Sequence, residues 1–306
     1  MKKWAALAAI VCLVCLQTTG SVIYKMSQKS SRYTYSTFSA LATAEAIKLA
    51  ISIALYARSS RGDIVHLPLS QSDVPRLNWW EILQIVALAA TYFANNHFMF
   101  EAYLRADAAS VVMVKSTSSF VIAFLRSRFF RTALAGRQWR AIILQLCGLI
   151  ITQYNACTAT AILTPGVYSL LFASVLISAI TSVWNESQLK HISLCLNLQN
   201  IVMYTGGMVL NVIGHHAAKR FNPDTPSFFD GYNAAAVGVI YVNACTGIAI
   251  TAVYKYADAV VKSLALSVTT VMVTLLSWAC FGLEVTPVNA SGCIVIIVAV
   301  WSYSTS

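Results

Sequence analysis

Tyr103-Leu104-Arg105-Ala106-Asp107-Ala108 returns, half a chain later, as Tyr254-Lys255-Tyr256-Ala257-Asp258-Ala259; the two copies stand 151 positions apart in a chain of 306 residues. Each lies at the junction of two long apolar runs, and four of the six residues agree. A duplicated membrane unit with an odd number of helices inserts its second copy upside down. Inverted repeats around a central site are an architecture of secondary transporters.

The flanking runs are membrane spans. Hydrophobic residues make up 58% of the chain, charged residues only 10%, and mean hydropathy is +0.67. Soluble domains carry about a quarter charged residues, so this chain has too little polar surface for a water-facing globule. About 20 apolar residues span the bilayer core as a helix. Ten such stretches are legible, at 4–24, 36–57, 80–100, 109–130, 139–157, 166–187, 197–215, 234–254, 263–283 and 287–304. The expectation is an all-α membrane protein of ten transmembrane helices, arranged as two inverted five-helix repeats, 1–157 and 158–306. Phe130 and Phe281 echo the same offset, each closing a helix before the last span of its half. The first run follows Lys2-Lys3 but has no small-x-small cleavage site, so it reads as helix 1 rather than a secretory signal.

With the N-terminus in the cytosol, 13 Lys and Arg fall on the cytosolic side and six on the other, which places both termini in the cytosol. The arginines 126, 128, 131, 137 and 140 carry much of this bias; they read first as an orientation anchor and second as a nucleotide- or lipid-attracting patch. The net charge of +10 sits in loops without a nucleic-acid motif, so no nucleic-acid partner is expected. The eight cysteines are scattered through the spans, and Cys12 and Cys15 read as ordinary helix packing. The repeat turns face opposite sides of the membrane and are candidate gates.

Ionisable groups inside spans are costly and face partners or a cavity. Glu45 and Lys48 are three apart on helix 2, spaced either to neutralise each other or to line a cavity. Lys115 has no acidic neighbour on its own helix and is followed by Ser116-Thr117-Ser118-Ser119, which points to an anion in a cavity. Lys262 follows Asp258 by one helical turn, and either pairs with it or offers its ammonium to a phosphate, whose several oxygens accept several donors. Helix 7 adds Asn200 and Tyr204 on one face, with Gly206-Gly207 beyond them. Those glycines suit a close ligand approach or a homodimer face. Helix 3 adds Tyr92, Asn95, Asn96 and His97. There is no phosphate loop, no HExxH, no metal spacing among the histidines and no nucleophile elbow. An enzyme, a cofactor and a metal site are therefore not expected. Asn289-Ala290-Ser291 matches a glycosylation pattern at a helix start, too near the membrane for use, and Asn185-Glu186-Ser187 lies on the cytosolic side.

These residues, in this order, resemble the nucleotide-sugar transporters of the Golgi and endoplasmic reticulum. The nearest resemblance is to the branch that carries UDP-galactose, UDP-N-acetylglucosamine and CMP-sialic acid. The carriers are Thr43-Ala44-Glu45-Ala46-Ile47-Lys48-Leu49, Asn95-Asn96, Asp107-Ala108-Ala109, Gln138-Trp139, Trp184-Asn185-Glu186, Leu198-Gln199-Asn200 with Tyr204, Phe228-Phe229-Asp230-Gly231-Tyr232, and Lys255-Tyr256-Ala257-Asp258 with Lys262. The resemblance implies a drug/metabolite-transporter fold that exchanges a cytosolic nucleotide sugar, with a UDP-sugar favoured, for a lumenal nucleoside monophosphate. It also implies phosphate contact by Lys262, with Asn200 and Tyr204 in the same pocket, Asn96 beside the base, and Lys255 within the motif that leads to Lys262. Two departures touch that pocket. The helix-4 lysine of the family falls at Ser118, with Lys115 one turn earlier, and the serine two residues past the helix-7 tyrosine is Gly206. They keep two further readings open: a same-fold carrier of another metabolite, and a non-transporting scaffold or regulator.

Overall fold

Asp107 and Asp258, the shared acids of the two repeat copies, each open a helix in the same way. In the first copy the Ser110 and Val111 amides donate to the Asp107 carboxylate and carbonyl at 2.9 and 3.1 Å. In the second the Val261 and Lys262 amides donate to Asp258 at 2.9 and 3.1 Å. A carboxylate accepting from the third residue satisfies amides that the first turn leaves open. The motif is therefore a helix stop followed by an N-cap.

The computed structural model describes residues 2–29, 32–63, 79–129, 134–152, 165–192, 194–281 and 285–305. Among these residues the helices are α1 (Lys2–Met26), α2 (Thr37–Asp63), α3 (Trp79–Arg105), α4 (Ala108–Ser116), α5 (Ser118–Phe129), α6 (Gly136–Thr152), α7 (Pro165–His191), α8 (Leu196–Phe221), α9 (Ala234–Tyr256), α10 (Ala259–Phe281) and α11 (Pro287–Ser304). A two-residue antiparallel pair, β1 (Gln28–Lys29) and β2 (Arg32–Tyr33), joins α1 to α2. The expected division at 157/158, Phe130, Arg131 and the end of the fifth span lie outside the described residues.

All ten expected spans coincide with helices, but the fourth is broken rather than continuous. α4 and α5 meet at Thr117, whose amide donates to Val114 O at 3.1 Å and whose Oγ1 donates to the same carbonyl at 2.6 Å. Hydroxyl side chains compete for backbone carbonyls, and the polar run after Lys115 interrupts the helix there. By length and hydropathy, six helical stretches among the described residues can cross a membrane: Ala6–Met26, Thr37–Arg58, Pro165–His191, Ala234–Tyr256, Ala259–Ala279 and Pro287–Ser304. The other spans are shorter or more polar. α3 carries Asn95, Asn96 and His97, and α8 carries Asn197, Gln199, Asn200 and Asn211; much of this polarity turns into the bundle, where water-free lipid does not have to solvate it. Outward faces hold Trp4, Ile150, Trp278, Ile294 and Trp301, all more than half exposed, an apolar surface suited to acyl chains.

The helices pair as α6 with α11, α2 with α8, α1 with α9 and α3 with α7; further contacts run α3 to α8, α2 to α9, α1 to α10, and α4–α5 to both α10 and α7. Exchanging the first five spans for the last five maps this set of pairings onto itself. The α6–α11 contact is made backbone to backbone. A Cβ on Gly292 would lie 2.6 Å from Thr152 N, and one on Gly148 2.8 Å from an Ile296 side-chain carbon. Small residues permit such approach in membranes. Gly292→Ala is expected to lower thermal stability by about 1–3 kcal/mol, the cost of overpacking; a melting temperature in detergent equal to the parent protein's would refute the close approach. Gly206 and Gly207 face inward in the same sense, against Ala89 and the Glu45 side chain, so within the chain they serve helix packing.

Candidate functional site

Two adjoining lobes open between the helices. The first, of about 150 Å³, is lined from α1, α3, α4, α7, α9 and α10. The second, of about 90 Å³, is lined from α2, α3, α7, α8 and α9. Asn96, Asn243, Thr246 and Ile250 line both, so the lobes form one bipartite space.

Lys115 and Lys262 both line the first lobe. The Lys115 ammonium donates to Asn95 Oδ1 at 2.9 Å, Ser174 Oγ at 2.9 Å and Ser174 O at 3.2 Å. Lys262 donates to Ser182 Oγ at 3.1 Å. Among the described residues neither lysine forms an ion pair. Asp258, one turn before Lys262, is paired instead with Arg126 at 2.9 Å. Of the two options the spacing left for Lys262, the structure has the ammonium turned to the lobe. A buried amine held by neutral oxygens alone has no countercharge within the protein, and an anion in the lobe would favour its charged form.

The second lobe is aromatic and amide-lined. Tyr92, Asn185, Tyr204 and Asn211 reach it, and Asn185 Nδ2 donates to Tyr92 Oη at 2.6 Å. Glu45 and Lys48 form a buried ion pair on its wall, so self-neutralisation and cavity lining hold together. The pair fits because Gly207 and Gly247 oppose it; a Cβ on Gly247 would stand 2.6 Å from Lys48 Cδ. The Lys48 ammonium also lies 4.8 Å from the Tyr204 ring centroid.

Four other residues that stand out in the sequence sit apart from the lining. Asn200 is buried in α8 one turn before Tyr204 but reaches neither lobe. Ser118 is buried against Ser263, with the two hydroxyls 2.9 Å apart, and ties α5 to α10. Lys255 is exposed at the end of α9, 5.5 Å from the Tyr256 ring. Asp107 is exposed and caps α4. The displaced lysine thus reaches the lobe from one turn earlier, while the family's lysine position has become a helix contact. Sequence reasoning missed Asn243 and Thr246 of α9, and Tyr24 of α1; Asn243 Nδ2 donates to Tyr24 Oη at 2.6 Å. The available signal was a single amide in the apolar run of 234–254.

The two ends of the bundle are joined differently, each at a repeat copy. At one end Arg126 of α5 lies 3.4 Å from Glu186 of α7 and 2.9 Å from Asp258, while Glu186 also pairs with Lys190 and accepts the Ala259 amide at 3.0 Å. At the other, Lys25 and Gln28 donate to the Tyr103 carbonyl, Gln28 at 2.8 Å. There the Tyr24 and Tyr103 rings stack with centroids 4.8 Å apart. One end is joined across helices by ion pairs, the other by stacked rings and side-chain bonds to a carbonyl.

Known proteins share both this sequence pattern and this fold. Human UDP-galactose translocator is 27% identical over 289 residues, covering 93% of this chain and 72% of that protein. CMP-sialic acid transporter 2 of Oryza sativa subsp. indica is 27% identical over 296 residues, covering 95% and 82%. A crystal structure shares the fold over 100% of this chain and 98% of its own, with a TM-score of 0.71 at 15% identity. The family profile described as nucleotide-sugar transporter matches residues 2–304. With that match over nearly its whole length, the chain belongs to the nucleotide-sugar transporter family.

Proposed function

We propose that the protein exchanges a cytosolic pyrimidine nucleotide sugar, with a UDP-sugar favoured, for a lumenal nucleoside monophosphate across the Golgi or endoplasmic reticulum membrane, with both termini cytosolic. One observation carries this reading: two ammoniums, Lys115 and Lys262, share one lobe with only neutral oxygens around them. A phosphate supplies the missing negative charge and takes several donors at once. Asn96, between the lobes, then stands beside the base, and Tyr204 with the Glu45–Lys48 pair lines the neighbouring space. Ser118, Asn200 and Lys255 contribute through helix packing and the outer end of α9 rather than through direct contact. The similarity to UDP-galactose and CMP-sialic acid transporters supports a pyrimidine nucleotide.

The pairing of helices under exchange of the halves, and the matching caps at Asp107 and Asp258, support two inverted five-helix repeats, 1–157 and 158–306. The repeat copies are then the opposite gates, with Arg126 at the cytosolic one. A carrier that alternates between two faces needs contacts at each gate that part without unfolding the helices.

Counterflow tests this. Liposomes preloaded with UMP, CMP, GMP or AMP are challenged with a panel of nucleotide sugars. The expected result is UDP-sugar uptake stimulated about tenfold or more by internal UMP, with GMP and AMP inert. Uptake of another solute indifferent to internal nucleotide marks a same-fold carrier of a different metabolite, and no uptake of any solute marks a non-transporting protein.

A further inference from the structure

α7 carries a row of hydroxyls one turn apart: Ser174, Ser178 and Ser182. Its two ends hold the two cavity lysines, Ser174 taking Lys115 at 2.9 Å and Ser182 taking Lys262 at 3.1 Å. The middle hydroxyl is different. Ser178 lines the same lobe as both lysines, is only 7% exposed, and has no hydrogen-bond partner among the described residues. A hydroxyl that opens onto a polar cavity without a protein partner is left for a ligand or water to complete. The outer two serines are already engaged, with exposures of 0% and 1%.

The spacing has a chemical meaning. Eight residues of helix rise about 12 Å, so the lysines approach the lobe from anchor points two turns apart, with a free donor midway. One phosphoryl group gathers its oxygens about a single centre, whereas two linked phosphoryl groups present an extended set of acceptor oxygens that suits a row of donors. Lys115 reaches the upper part of the row because it stands one turn earlier than Ser118, whose own hydroxyl is turned to Ser263.

We propose that Ser174, Ser178 and Ser182 of α7, with Lys115 and Lys262 at their ends, form a rail for a pyrophosphate bridge, and that this lobe selects nucleotides with two linked phosphoryl groups over those with one. The inference rests on the transport reading and narrows it: Ser178 donates to the bridge, while Ser174 and Ser182 are positioning residues that aim the ammoniums. A leaving nucleoside monophosphate occupies only part of the rail and is released more readily than the arriving substrate.

UDP and UMP share base and ribose and differ by one phosphoryl group, so they are the probes. Dissociation constants are measured on the purified full chain in detergent, by calorimetry or thermal shift, without any transport step. The parent protein is expected to bind UDP about tenfold or more tightly than UMP. Ser178→Ala is expected to weaken UDP about tenfold or more and UMP by about twofold or less, as loss of one hydrogen bond to a charged group predicts. Ser178→Thr, which keeps the hydroxyl, is expected to retain most of the preference. Ser178→Ala is the decisive variant because it changes no charge; a preference due to net attraction alone would survive it. Lys115→Met gives an independent reading and is expected to narrow the UDP-to-UMP ratio in the same direction. Equal affinity for UDP and UMP in the parent, or variants that weaken both alike, overturns the rail. Absence of exchange in liposomes with these binding ratios intact overturns the transport reading and leaves the rail standing.

Discussion

Lys262→Ala is expected to abolish exchange in proteoliposomes, with the rate falling about 100-fold or more, while the protein remains folded. The ammonium sits in the first lobe with Ser182 Oγ as its protein acceptor. A charge in the membrane interior costs about 2.5–3.5 kcal/mol on insertion scales. A single neutral hydroxyl offsets about half or more of that, since a hydrogen bond to a charged group contributes about 1.5–3 kcal/mol net, but it supplies no countercharge. The anion that the ligand brings supplies it. Replacing it removes a buried charge whose partner was neutral, so no countercharge is stranded. The melting temperature is expected to stay level or rise, whereas removing one member of a buried ion pair lowers it. A loss of transport accompanied by a collapsed melting temperature would give Lys262 a structural role, and undiminished exchange would remove it from the site.

Arg126→Ala is expected to produce the opposite pattern. Glu186 and Asp258 share this guanidinium at 3.4 and 2.9 Å, and the Glu186 side chain is 1% exposed. Removing one partner of a buried pair costs about 3–5 kcal/mol. Lys190 still neutralises Glu186 and Asp258 is 21% exposed, so the lower end of that range, about 3 kcal/mol, is expected. Two carboxylates then face each other across the junction of α7 and α10, and the Ala259 amide that Glu186 accepts moves with them. The end of the bundle at Arg126 should open. The check is a lowered melting temperature together with faster labelling of a cysteine placed at Ser182 by a reagent supplied from that side. Restoration by Arg126→Lys, which keeps the charge but not the two-armed geometry, should be partial. Unchanged labelling would mean that the ion cluster does not hold that end shut.

Much of the architecture was legible in one dimension because the membrane makes it so. A bilayer demands long apolar runs and punishes unsatisfied backbone, so the ten spans and the stop at each Tyr-x-x-Ala-Asp-Ala copy follow from composition and local hydrogen bonding. The break at Thr117 was less legible. Its signal, the polar run after Lys115, was present, but it reads equally as a cavity face, and only the backbone shows that it also interrupts the helix.

Site residues were legible as types and not as places. Lys115, Lys262 and Tyr204 announce themselves by chemistry, and all three line the cavity. Asn200 and Ser118 carry the same chemistry yet turn away from it, because one helical position is about 100° of rotation and the facing helix decides which direction is cavity. Asn243, a single amide in an apolar run, stands at the meeting of the two lobes.

Class, spans, duplicated caps and family are properties of the chain in one dimension, since each depends on residues near one another along it or on their order. Helix packing in three dimensions turns Asp258 to Arg126 and leaves Lys262 to the lobe, and it sets both lysines on one face of α7 with Ser178 between them. Those choices are made between helices far apart in sequence, where distance and direction, rather than residue type, decide which charge meets which partner.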